Sequence, residues 1–259
     1  MDKIRTISNA FKRILYRALS TTKDSRVALL ITGENPISDI SSYQNVVSSR
    51  RTVLTINVFN SNSIIKRNNY DNTYNWVYLA GNEENPIGNW TNYTATLESD
   101  LSGDFSIEYM SAFYSDDFDG TDYRTSIRMD SGSSSSFETI FGEVYINNYK
   151  VISCTNDAIT DTQYYRVHFA VTRSNGVIRS YKNGTLVGSY AYDSAINFGS
   201  LFTLSPVVPT PTGNATPLPK RFPIFGNLRI INGLDKSTIT NGAYTYPIPT
   251  ALFTGYETL

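Results

Sequence analysis

Hydrolysis of a glycosidic bond needs two carboxyl groups flanking it, so paired Asp and Glu residues are the first chemistry to seek. Glu108 stands alone on its segment. Glu138 and Glu143 lie five apart in sequence, an odd spacing that sends them to opposite faces of a regular strand. A nucleophilic triad fares no better, because His168 is the one histidine and sits mid-strand, opposite the face marked by Val167 and Phe169. A packed or hydrogen-bonded structural role is expected for it. Cys154, the one cysteine, reads as a buried small hydrophobe rather than a nucleophile. Its solitude excludes an internal disulfide framework and a cysteine-rich zinc site. These residues predict a chain that is not an enzyme.

Binding chemistry is better represented. The acidic loop Ser-Asp-Asp-Phe-Asp-Gly-Thr-Asp at 115–122 sets Asp117, Asp119 and Asp122 around a glycine. Calcium loops use alternate carboxylates in this way, but this one lacks the closing bidentate Glu. It reads either as a calcium site or as a solvated hairpin tip, and no other cofactor is expected. Sugar recognition uses aromatic faces with Asn, Asp or Ser beside them. Trp76, Trp90 and Tyr123 are candidate platforms, with core or rim packing as the competing role for each. Four Asn-x-Ser/Thr triplets begin at Asn89, Asn92, Asn183 and Asn214, and a composition this rich in Asn, Ser and Thr supplies such triplets by chance. Glycine-rich phosphate loops are absent.

The elements that position these residues are β-strands. Tyr (19) and Phe (13) are abundant and only 17% of the 259 residues are charged, which suits pleated, half-buried surfaces joined by polar turns. A hydrophobic content of 40% with a net charge of −1 is not the composition of a chain unable to collapse. The near-zero charge also removes any global attraction to nucleic acid or anionic lipid. No run approaches the roughly 18 to 20 apolar residues that cross a bilayer, and the first 20 residues lack a secretory signal's apolar stretch. The chain is expected to be soluble and unprocessed.

The first segment is different. Ile4, Ile7, Phe11, Ile14, Leu15, Ala18 and Leu19 recur at steps of three and four, the stripe of one amphipathic helix. Lys3, Arg5, Lys12, Arg13, Arg17, Lys23 and Arg26 face only Asp2 and Asp24, so this arm is basic and the remainder net acidic. Such a helix packs on its own domain, docks on another protein, or lies on a membrane.

From Val27 onward the pattern is strand and turn. Phe105, Ile107, Tyr109, Ser111 and Phe113 alternate with Ser106, Glu108, Met110, Ala112 and Tyr114, a strand with two distinct faces. Thr139 to Ile146 and Tyr149 to Ser153 read as a hairpin joined at Asn147-Asn148, residues that tolerate a left-handed backbone. Residues 164–190 form a three-strand meander through Ser-Asn-Gly and Asn183-Gly184, with Val167, Phe169 and Val171 on its buried face. Six of the ten prolines crowd 205–224, predicting a long surface loop. A last strand follows at Phe225 to Ile231.

HFAVTRSNGVIRSYKNGTLVGS at 168–189, then FGSLFTL at 198–204 and FGNLRIING at 225–233, resembles laminin-G-like domains of the concanavalin A-like lectin/glucanase superfamily. The clear match spans about residues 160–235, and weaker patterning reaches back to about Val53. It departs at Arg166, where a tryptophan usually precedes the histidine. The resemblance implies a two-sheet antiparallel jelly-roll sandwich, with calcium often held at loop carboxylates. The Glu-x-Asp-x-Glu strand of the superfamily's glucanases has no counterpart here. ITNGAYTYPIPTALF at 239–253 resembles the extended tail that follows this domain in bacteriophage virion proteins.

The expected protein is therefore all-β: a basic helical anchoring arm at 1–29, a sandwich at 30–238 and an extended tail at 239–259. The resemblance implies a non-enzymatic virion component, a fibre, tail or head-decoration protein on the particle surface. Ile4, Ile7, Phe11, Ile14, Leu15 and Leu19 would dock it on other virion proteins or on sister copies, a homo-trimer by analogy with viral fibres. The sandwich would face host-surface glycans. No nucleic acid and no membrane insertion are expected. A decoration or cement protein without ligand and a surface-glycan depolymerase are the alternatives.

Overall fold

The computed structural model describes residues 26–32, 47–53, 64–65, 76–78, 80–82, 85–97, 101, 103–113, 124–131, 136–154, 165–193, 198–207 and 223–249. Within them the chain forms β1 (Val27–Thr32), β2 (Val47–Val53), β3 (Ile64–Ile65), β4 (Trp76–Tyr78), β5 (Ala80–Asn82) and β6 (Asn85–Thr96). Next come β7 (Phe105–Phe113), β8 (Arg124–Asp130), β9 (Ser136–Ile140), β10 (Glu143–Ile146), β11 (Tyr149–Ile152) and β12 (Tyr165–Ser174). The last six are β13 (Val177–Lys182), β14 (Thr185–Ala191), β15 (Leu201–Val207), β16 (Pro223–Asn232), β17 (Thr238–Thr240) and β18 (Ala243–Thr245).

Among the described residues they form two antiparallel sheets. The larger runs β17-β18-β14-β13-β12-β7-β16-β4-β3, with β1 also on β16, and the smaller runs β11-β10-β9-β8-β15-β6-β2, with β5 also on β6. The chain is thus an all-β two-sheet antiparallel sandwich.

The hairpins that set the register share one backbone signature. Phe141-Gly142, Asn147-Asn148, Asn175-Gly176, Asn183-Gly184 and Asn241-Gly242 all have positive φ at both residues, as a two-residue turn matched to strand twist requires. Asn or Gly fills nine of these ten positions because neither strains much there.

Alternation then decides what each strand buries. Phe105, Ile107 and Tyr109 of β7, Val167, Phe169 and Val171 of β12, and Leu228 and Ile230 of β16 enter the core. They meet Ile127, Met129, Phe137, Val144, Phe202 and Leu204 of the smaller sheet. Phe169 lies between two rings, Tyr109 (5.3 Å) and Phe141 (5.6 Å), both nearly parallel to it. Truncating such a residue to alanine removes about 3 to 5 kcal/mol. Gly142 completes the contact: its N–H donates to the Tyr109 hydroxyl at 3.4 Å, and a Cβ there would come within 3.0 Å of the Phe169 ring.

Two sequence expectations change. Thr139 to Ile146 is two strands rather than one, because Phe141-Gly142 reverses the chain between β9 and β10. The segment expected to leave the sandwich as an extended tail from residue 239 instead folds as the β17–β18 hairpin, and Thr245 pairs with Thr185 of β14. Of the loop expected at 205–224, the two ends belong to β15 and β16, while 208–222, the helix stripe (Ile4 to Leu19) and the acidic loop lie outside the described residues.

Candidate functional site

On the outer face of the larger sheet, register aligns Arg229 of β16, Glu108 of β7 and Ala170 of β12 in one row. Arg229 donates from both Nε (2.7 Å) and Nη2 to Glu108 Oε1. Lys236 Nζ approaches the same oxygen at 3.4 Å, and His168 Nε2 stands 3.6 Å from Oε2. Glu108, His168 and Arg229 are each 1% exposed.

They are covered by the chain's own C-terminal segment. Ser106 Oγ donates to the Leu234 carbonyl (2.8 Å) and accepts from the Lys236 N–H (3.2 Å), seating residues 234–236 on β7. Farther along, the Arg179 guanidinium lies 4.1 Å over the Tyr244 ring and 3.9 Å from Asp235. The Tyr246 ring then packs on Tyr181 (5.5 Å) and His168 (5.7 Å). Burial alone would raise the Glu108 carboxyl, but His168, Arg229 and Lys236 outweigh it and hold the group at about 2. Tyr246 is pushed well above the ordinary tyrosine range by burial first and the Glu108 charge second. An ionised, neutralised and covered carboxylate ties the strap to the sheet and offers no proton to a substrate from solvent.

The outer face of the smaller sheet has no such strap among the described residues. Glu138 is paired with Tyr145, and Glu143 precedes Tyr145 by two on the same strand. Both carboxylates therefore share this face. The odd-spacing argument for opposite faces fails because it assumed an unbroken strand, and the turn at Phe141-Gly142 restores the parity. Tyr145 donates its hydroxyl and Lys150 its ammonium to Glu143, both at 2.7 Å, while Ser126 Oγ donates to Glu138. The Glu143 hydrogen bond raises the Lys150 pKa, and burial followed by Glu143 raises that of Tyr145. Arg128 pairs with Asp130 at 3.0 Å. The result is a polar hydrogen-bonding surface.

A third feature lies on β14. Gly188 packs against Ile152 of β11, the edge of the smaller sheet. Two residues on, Tyr190 is 38% exposed, its ring 6.3 Å from that of half-buried Tyr192.

The sequence candidates are dispersed. Trp76 falls on β4 of the larger sheet and Trp90 on β6 of the smaller, so they do not share a sheet. Tyr123, Asp117, Asp119 and Asp122 lie outside the described residues, as do Ile4, Ile7, Phe11, Ile14, Leu15 and Leu19. Among the described residues, no group of three or more His, Cys, Asp or Glu is placed to hold a metal. His168 does lie opposite the Val167 and Phe169 face, and Cys154 is a buried thiol outside any disulfide. The sequence reading missed the Glu108 partners, 121 and 128 residues away, and the Tyr190–Tyr192 pair. An i, i+2 tyrosine repeat on a well-marked strand was the available signal for the latter.

The described strands define a two-sheet antiparallel β-sandwich. No protein-family model and no curated protein matches the sequence. In three dimensions the chain is similar to the binding domain of botulinum neurotoxin serotype D/C, at 16% identity and a TM-score of 0.54 over 81% of this chain and 50% of that one. Similar values hold for the serotype C1 binding domain (16%, 0.55, 81% and 49%). The neurotoxin DC binding domain solved in complex with rat synaptotagmin II matches at 15%, 0.53, 83% and 50%. The chain thus spans about half the length of these toxin domains, and at this identity the likeness is one of fold.

Proposed function

We propose that this chain is a non-enzymatic, particle-anchored binding module: a bacteriophage virion protein of the fibre, tail or head-decoration kind. Its basic N-terminal helix docks on other virion proteins or sister copies, and its sandwich meets host-surface glycans. The observation carrying the glycan reading is the contrast of the outer faces among the described residues, one closed by the chain's own strap and the other leaving the side chains of Arg128 and Lys150 partly exposed. Toxin domains of the same fold lend support, since one is solved in complex with SialylT and another described as depending on two ganglioside molecules for cell entry. The basic amphipathic pattern of residues 1–26 supports the particle setting. Low single-site affinity is compensated by many copies on one surface.

A glycan array probed with the multimerised chain tests the reading, with binding to a defined glycan subset expected. A blank array returns the chain to the decoration or cement class. Anchoring is tested separately by Phe11→Asp with Leu15→Asp, which should abolish incorporation into particles; full incorporation would end that part of the proposal. A surface-glycan depolymerase is the second reading, favoured by Glu138 and Glu143 sharing a face. Release of reducing ends from host polysaccharide, lost in Glu143→Gln, would establish it.

A further inference from the structure

We propose that the glycan contact is made at the Tyr190–Tyr192 ledge and that it selects uncharged pyranosides over sialylated ones. The proposal rests on the glycan reading above and adds a place and a ligand class. Three observations carry it. First, the two tyrosines lie on β14 just beyond Gly188, where that strand meets the edge of the smaller sheet, so the ring pair stands at the margin of the core with Tyr190 partly open to solvent. Their rings are inclined by 31°, presenting an aromatic surface of the kind on which the C–H face of a pyranose packs.

Second, Tyr192 and Asp193 are held against the Asn175-Gly176 turn. The Tyr192 N–H donates to the Gly176 carbonyl at 2.7 Å. Asp193 then lies over Gly176 so closely that a Cβ there would collide with its carboxylate, and the positive φ of Gly176 independently favours glycine. An exposed carboxylate held beside an aromatic pair can accept hydrogen bonds from two neighbouring sugar hydroxyls. Among the described residues, no cation is paired with Asp193.

Third, a second carboxylate sits on the same Asn175-Gly176 turn. Asp104 accepts the Asn175 N–H at 3.1 Å, with its side chain 39% exposed, and Arg173 stands 4.0 Å away with its own side chain largely covered. With Asp193 over Gly176 and Asp104 on the neighbouring Asn175, this turn repels an acidic sugar, which is discrimination by an unfavourable contact rather than by a better one.

The test is a glycan array of uncharged and sialylated members, probed with the multimerised wild type, Tyr190→Ala and Asp193→Asn, each checked for an unchanged thermal midpoint. Wild type should bind uncharged members. Both variants should lose about tenfold in affinity for them, roughly the worth of one aromatic contact or charged hydrogen bond. Asp193→Asn should also gain on sialylated members. Should Tyr190→Ala unfold, Asp193→Asn, an exposed loop change, decides alone. Wild-type preference for sialylated glycans, or variants that bind as wild type does, would overturn the ledge while leaving glycan binding intact. A wild type silent on every member removes both.

Discussion

The outer faces of the two sheets are built by the same rule and end in opposite states. Each strand alternates apolar residues inward and polar residues outward. On the larger sheet that alternation sets out Glu108, His168 and Arg229, and the segment from Leu234 to Tyr246 then crosses and buries them. On the smaller sheet it sets out Arg128, Tyr145 and Lys150, and the side chains of Arg128 and Lys150 remain 36% and 41% exposed. One alternation therefore gives an internal ionic joint in one place and a wet surface in the other. What separates them is the segment from Leu234 to Tyr246, which doubles back over one face and not the other among the described residues.

Removing half of the buried joint should break this contrast most sharply. Glu108→Gln leaves Arg229 buried without its counter-ion, and breaking one partner of a buried pair costs about 3 to 5 kcal/mol. Urea unfolding should report a loss of that size. Replacing the pair together, Glu108→Leu with Arg229→Met, should recover most of it, because well-packed apolar residues substitute for a buried ion pair at little net cost. Lys236, partly exposed in place, can turn to solvent. A double variant as weak as the single one would show that the strap needs the charges themselves.

Acid comes next in size. Glu108 is held at about 2 against an ordinary 4.5. A carboxyl depressed on folding contributes stability that is complete above 4.5 and is lost as pH falls toward 2. The difference corresponds to about 3 kcal/mol at neutral pH. Wild type should therefore weaken between pH 4.5 and 2 more steeply than the Glu108→Leu, Arg229→Met pair, measured by urea unfolding across that range. Parallel pH profiles would place the acid-labile joint elsewhere.

Local signals were legible in the sequence and distant ones were not. Asn147-Asn148 and Asn183-Gly184 announced their hairpins, and the β12 triplet Val167, Phe169, Val171 announced its buried face. Gly142 carried the same kind of turn signal, but it followed Phe141, a bulky residue rarely found at positive φ, so two strands read as one and the carboxylates of Glu138 and Glu143 were assigned to opposite faces. Asn241-Gly242 repeats the 183–184 dipeptide, yet a resemblance to an extended tail overrode it. The partners of Glu108 had no local signal at all. Neither Arg229 nor Lys236 can be assigned to it without knowing that β16 lies beside β7 and that the strap doubles back.

The open face supplies the smallest and most discriminating prediction. Lys150 donates to Glu143 at 2.7 Å and stands 5.5 Å above the Tyr145 ring, contacts that on distance alone match those around Glu108. Distance does not set their worth; solvent does. With its side chain 41% exposed against 9% for Glu143, Lys150 loses little hydration on pairing and regains it when the pair opens, so its share stays within the range of about 0.2 to 1 kcal/mol typical of exposed pairs. Glu143 also keeps the Tyr145 hydroxyl when the lysine is gone. Lys150→Ala should therefore cost less than about 1 kcal/mol at low salt, and that cost should shrink at high salt, where the wild-type pair is already screened. The loss in Glu108→Gln should hardly respond to salt, because ions do not reach a group that is 1% exposed. Measuring both variants at two ionic strengths compares the faces directly. A salt-insensitive loss of several kcal/mol in Lys150→Ala would mean that the smaller sheet is covered too, and the contrast between the two faces would vanish.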